Sequence, residues 1–204
     1  ALTLTSGDDL TLDAVGDIHL DADGADITFK DAGSIKMLLK DEKLIIGHTA
    51  SITGVAAMKL QVNATDSTGS IQLGRWTNNN LGSYLSFVKS RNATIGSNTV
   101  VQDGDSLGQI TWSGDDGSDW GMRAAGIFGR VDGTPGSDDM PGRIEFITTP
   151  DGAAFGVDNI RMVIKSDGKV GIGTTTANKI VNFADPDQGG ETLKLHFEAA
   201  TAQD

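Results

Sequence analysis

Apolar residues in the first fifty positions come in pairs, two apart, and the pairs recur. Leu2 and Leu4, Leu10 and Leu12, Ile18 and Leu20, Ile27 and Phe29, Ile35 and Met37, and Leu44 and Ile46 form six of them. Successive pairs begin 8, 8, 9, 8 and 9 residues apart. A spacing of two places both side chains on one face of a strand. The residues between them are Thr3, Thr11, His19, Thr28, Lys36 and Ile45, mostly polar and expected to point outward. Gly7, Gly16, Gly24 and Gly33, each beside Asp or Ala, suit turns that need a positive φ.

A unit this small cannot bury its own apolar face and must stack on neighbours. Three packings fit the pattern: a single-chain solenoid of β-helix type, an ordinary β-meander of short strands, and a shaft in which three chains share one core. A solenoid usually needs about 20 residues per coil, so the short period favours the shaft. Its core would hold Leu2, Leu4, Leu10, Leu12, Ile18, Leu20, Ile27, Phe29, Ile35 and Met37.

Beyond residue 50 the texture changes. Residues 51–69 read as a connector, with Met58, Leu60 and Val62 on one strand face. From 70 to 166 longer strands are expected over 70–76, 83–90, 107–114, 120–131, 142–149 and 160–166, separated by Gly- and Asp-rich turns. In "GRIEFITT" Ile144 and Phe146 share one side, Arg143 and Glu145 the other. Many short strands with such turns point to a β-sandwich or jelly-roll-like head. Residues 167–204 add a C-terminal β segment. The fold class is therefore all-β: an octad-repeat trimeric shaft on residues 1–50, then a sandwich-like head.

Composition narrows the partners. The 204 residues carry a net charge of −12, which disfavours nucleic acid and anionic membrane. Gly is abundant at 27 residues and Pro scarce at 4, as turns rather than low-complexity linkers require. Without Cys there is neither a disulfide framework nor cysteine-based metal or redox chemistry.

Candidate chemistry is sparse. "TWSGDDGSDWG" brings Trp112, Asp115, Asp116, Asp119 and Trp120 close in sequence, and Trp76 and Tyr84 flank "TNNNLG". Aromatic faces beside carboxylates suit sugars, whose rings stack while their hydroxyls donate to the acids. The same residues also fit a strand–turn–strand with packed Trp and solvated Asp. Paired carboxylates could hydrolyse a glycan, but these lie mainly in Gly-rich turns, so no catalytic residue and no enzyme activity is expected. Asp21, Asp23 and Asp26, like Asp185, Asp187 and Glu191, gather carboxylates without the full calcium-loop pattern. His19, His48 and His196 are far apart in sequence. Neither a metal site nor a cofactor is predicted.

Two stretches carry a resemblance. "RMVIKSDGKVGIGTTT" (161–176) and the stretch from Ser83 to Gly152 are similar to segments of bacteriophage tail-fibre and tailspike proteins, and the octad phrases resemble their shaft repeats. Ala177 stands where many relatives have Pro. The resemblance implies a homotrimer in the virion tail, bound to other tail proteins and attaching to a bacterial surface glycan or protein. It also implies the kind of fibre often followed by an intramolecular chaperone endopeptidase. Two further roles stay open beside attachment: a glycan depolymerase on the same scaffold, and a fibre spacer touching only virion proteins.

Overall fold

The computed structural model describes residue 20 and residues 26–52 and 58–183. Leu2, Leu4, Leu10, Leu12 and Ile18 fall outside the described residues, as do five of the six clustered carboxylates; Asp26 pairs with Lys40 at 2.9 Å. The described chain is all-β, with one short 3-10 turn at Val157–Asn159. It divides into two compact units, Ala1–Ile52 with Ala57–Gln72, and Leu73–Asp204 with Thr53–Ala56.

The first unit holds a four-stranded sheet in chain order: β1 (Ile27–Asp31), β2 (Ser34–Lys40), β3 (Lys43–Ile46) and β4 (Leu60–Val62). β1, β2 and β3 form an antiparallel meander, and β4 lies parallel to β3. Of the arrangements open to the repeat, the described octads thus pair as a meander. Two-residue turns make the tight returns. Ala32 and Gly33 take φ of 46° and 78°, and Asp41 and Glu42 take 48° and 61°, the left-handed pairs that match strand twist.

Register sorts the side chains. Ile27, Leu39, Leu44 and Leu60 form one cross-strand row, and Phe29, Met37, Ile46 and Val62 form a second on the same face. Thr28, Leu38, Ile45 and Gln61 occupy the opposite face. The chain covers the second face, not the first. Ile45, expected outward, is 0% exposed and Leu38 is buried, whereas Phe29, Leu39, Ile46 and Leu60 are exposed. Leu20 is exposed too. Gln61, on the same face as Leu38 and Ile45, binds back to the chain ahead of β4. The Gln61 side chain accepts from Ile52 N–H at 2.9 Å, and its amide donates to Ile52 C=O at 2.9 Å and Ser51 Oγ at 3.2 Å. That buried amide is fully bonded and ties β4 back to Ser51 and Ile52.

The second unit holds a six-stranded sheet, again in chain order: β5 (Ser106–Ser113), β6 (Arg123–Val131), β7 (Gly142–Thr148), β8 (Ile160–Ile164), β9 (Val170–Ile172) and β10 (Val181–Phe183). All neighbours are antiparallel except β9 and β10. Strands over 70–76 and 83–90, expected from the pattern, are not formed: both stretches run without a ladder among the described residues. A strand is fixed by its partner's N–H and C=O groups, and these stretches have none. The described residues of this unit form one sheet, where a sandwich has two.

Gly47 tests the packing of β3 on β4. It sits at φ 78°, and a Cβ there would lie 1.9 Å from the Asn63 carbonyl oxygen. Gly33 shares that φ but faces open space. Gly33→Ala is expected to cost about 1 kcal/mol, the cost of an L side chain in the left-handed region, and Gly47→Ala clearly more, as read by denaturant unfolding. Equal losses would show that the close approach is not held.

Candidate functional site

The second sheet also divides by face. Ile110, Ile127, Phe146, Met162 and Ile172 form one row; Gly108, Gly129, Ile144, Ile164 and Val170 form the next. This face is almost wholly apolar, yet Ile110, Ile144 and Ile172 are exposed. The other face carries Phe128, Arg130, Arg143, Glu145, Ile147 and Val163. Here Phe128, Ile147 and Val163 are buried, and Glu145 is only 2% exposed. Phe155, from the β7–β8 connection, stacks on Phe128 with ring centroids 5.8 Å apart, and Arg123 lies 5.4 Å above the Phe155 ring. The chain therefore covers the face with the charges and leaves the apolar one open.

Glu145 anchors the covered face. Arg130 Nε donates to Oε2 and Arg143 Nε to Oε1, each at 2.7 Å. Arg143 Nη1 donates onward to the Val131 carbonyl at 2.9 Å and to Asp132 Oδ1 at 3.2 Å. Lys165 Nζ lies 3.6 Å from the same oxygen. Asp132 Oδ2 accepts from the Ser166 N–H and hydroxyl, each at 2.9 Å. Arg130, Asp132, Arg143, Glu145 and Lys165 line an open polar cavity of about 500 Å³, together with Asp158 and Thr175. Burial pushes the Asp132 carboxyl up, but Ser166, Lys165 and Arg143 hold it below its ordinary value. Burial likewise opposes the Arg143 charge, which Glu145 and Asp132 more than restore. Each carboxylate oxygen of Glu145 and Asp132 thus accepts from a cation or a fixed donor. The arrangement clamps β6, β7 and the β8–β9 turn together.

Sequence reasoning passed over this cluster. Its signal was the alternation in β7, which set Arg143 and Glu145 on one side but did not say that the chain would cover that side.

The predicted sugar-facing residues occupy three places. Trp112 lies in β5 and is exposed. Asp115, Asp116, Asp119 and Trp120 lie in the β5–β6 loop. Trp76 and Tyr84 lie on the stretch ahead of β5 and are 87% and 74% exposed. Within the loop each Asp shapes the turn. Asp115 Oδ1 accepts from Gly117 N–H at 2.8 Å, Asp116 Oδ1 from Ser118 and Asp119 N–H at 2.8 and 3.1 Å, and Asp119 Oδ1 from Gly121 N–H at 2.5 Å. The Asp119 and Ser118 N–H groups hold the Asp116 carboxyl below its ordinary value. The Oδ2 atoms make no hydrogen bond to a described residue, and Trp120 in the same loop is exposed.

A depressed carboxyl stabilises the fold fully above the ordinary Asp value and loses that contribution as pH falls through its lower folded-state value. Asp132→Asn is therefore expected to cost about 1–3 kcal/mol at pH 7, with the gap to wild type closing below about pH 4 in thermal unfolding. A gap independent of pH would contradict this role.

No family model matches the chain, and no curated protein matches it. Among solved structures, the chain is similar to the carboxy-terminal domain of the bacteriophage T5 L-shaped tail fibre, with 15% identity and a TM-score of 0.40. The match covers 50% of this chain and 36% of that one, about a third of the latter's length. A likeness at this level assigns neither fold nor role to this chain.

Proposed function

We propose that this chain is a segment of a homotrimeric bacteriophage tail fibre that helps attach the virion to its host. The observation that carries the reading is the pair of open apolar faces. Phe29, Leu39, Ile46 and Leu60 in one sheet, and Ile110, Ile144 and Ile172 in the other, are exposed on the single chain. Contiguous apolar surface of this kind marks an interface. The shaft-like repeat and the 83–152 and 161–176 stretches supply the number of copies and the place in the virion, by resemblance to tail fibres. In such an assembly each open face would be covered by another copy of the chain.

Attachment belongs to that loop in this reading. Trp120 offers a ring for a sugar to stack on, and the free oxygens of Asp115, Asp116 and Asp119 accept its hydroxyls. Each contact would be weak, and three loops on one fibre would add avidity.

Sedimentation equilibrium is expected to give three times the chain mass; a monomer would contradict the assembly. Binding to a panel of bacterial lipopolysaccharides and capsular polysaccharides tests attachment. Trp120→Ala is expected to weaken that binding roughly tenfold, the loss of about 1.4 kcal/mol, with the mass unchanged. Binding to none would favour the spacer role, and release of reducing ends the depolymerase.

A further inference from the structure

The stretch ahead of β5 has the composition of a buried strand and none of its partners. Leu73, Trp76, Tyr84, Leu85 and Val88 are all exposed, Val88 at 90%. No backbone–backbone hydrogen bond joins residues 73–89 to any described residue. Unpaired N–H and C=O groups along an apolar stretch are costly to bury and wasteful to expose. Apolar residues on both sides of an extended segment mark one that is covered on both sides.

The base of this stretch is firmly held. Arg91 donates Nε and Nη2 to the two Asp105 carboxylate oxygens, at 2.6 and 2.7 Å. Ser90 Oγ donates to the Ser97 carbonyl at 3.1 Å and accepts from Asn92 and Thr99 N–H at 3.1 and 3.0 Å. Asp105 in turn is tied to β6, its carbonyl accepting from Val131 N–H at 2.9 Å. The chain thus leaves a fixed point beside β5 and runs free of its own ladder.

One side chain of the stretch already meets the open sheet face. Phe87 lies so close over β5 that a Cβ on Gly108 would fall 2.4 Å from the Phe87 Cβ. Phe87, Gly108, Ile110, Ile127, Gly129 and Ile144 line an open apolar cavity of about 270 Å³. Tyr84 and Val88, which an extended backbone turns to the opposite side from Phe87, meet nothing that buries them.

We propose that residues 73–89 form an arm shared between copies of this chain. Phe87 packs on the arm's own sheet, and Tyr84 and Val88 pack on the open face of the neighbouring copy, over its Ile110, Ile144 and Ile172. The occupant of that face is therefore the arm of a second copy. The inference rests on the assembly proposed above and adds how it is locked. Tyr84 lies three residues and Val88 one residue from Phe87, a span of roughly 10 Å at most, so the neighbouring sheet stacks directly against the arm. Tyr84 then faces protein rather than sugar, and carbohydrate contact falls to the β5–β6 loop.

A photo-crosslinking substitution tests this. Tyr84→benzoylphenylalanine is prepared in oligomers mixed from light and heavy nitrogen-labelled chains, irradiated, and mapped by mass spectrometry. Crosslinks from one isotope's arm to the other isotope's β5–β8 peptides are expected. An oligomer with crosslinks only within one chain, only elsewhere, or absent overturns the arm and leaves the assembly standing; a monomer overturns the assembly itself. In a second variant, Val88→Asp is expected to raise the concentration at which the oligomer dissociates by roughly tenfold, with the circular dichroism of the sheets unchanged. Since Val88 is 90% exposed on the single chain, an unchanged dissociation would also count against the arm.

Discussion

A β-sheet has two faces, and a face that is apolar must be covered even after the strands have paired. This chain covers one face of each sheet. In the first unit the covered face is that of Leu38, Ile45 and Gln61; in the second it is that of Phe128, Glu145, Ile147 and Val163. The opposite faces are the more apolar ones, and they are left open. Hydrophobic burial of the order of 25 cal/mol per Å² is the main favourable contribution to folding and association alike. A chain that directs its connections to the more polar face has left that contribution for something outside itself.

The covered faces make the open ones possible. Burying Glu145 would be expensive without its two guanidinium partners, and burying Gln61 would be so without Ser51 and Ile52. Each polar group draws a connection or a neighbouring strand onto its own side. Arg130, Arg143, Asp132 and Ser166 join β6, β7 and the β8–β9 turn, while Gln61 joins β4 to the connection before it. Directional bonds thus fix one side of each sheet, while the other carries rows rich in Ile, Leu, Phe and Met.

Much of the fold was legible in the sequence. Alternation placed strands over 107–114, 142–149 and 160–166, against observed strands at Ser106–Ser113, Gly142–Thr148 and Ile160–Ile164. It also sorted Ile144 and Phe146 from Arg143 and Glu145. Turn chemistry placed Gly33 and the "SDGK" return, where Gly168 takes φ 79°. What alternation could not say is which face the chain would cover, because a period of two records shared faces and nothing about what lies over them. Ile45 was misplaced for that reason, and the burial of Glu145 was not foreseen. The stretches 70–76 and 83–90 have strand composition but no strand, since a ladder depends on a partner that local sequence does not name. The candidate residues were legible as types, and they fall on three segments: Trp76 and Tyr84 ahead of β5, Trp112 in β5, and Trp120 in the loop after it.

The central claim is that the open apolar faces are covered in the working protein. Hydroxyl-radical footprinting of the intact protein in solution tests it most directly, because each side chain reports its own access to water. The account predicts that Phe29, Leu39, Ile110 and Ile144 are labelled as little as Leu38 and Phe128, which the chain buries itself. Labelling of those four at the rate of freely exposed residues would contradict it.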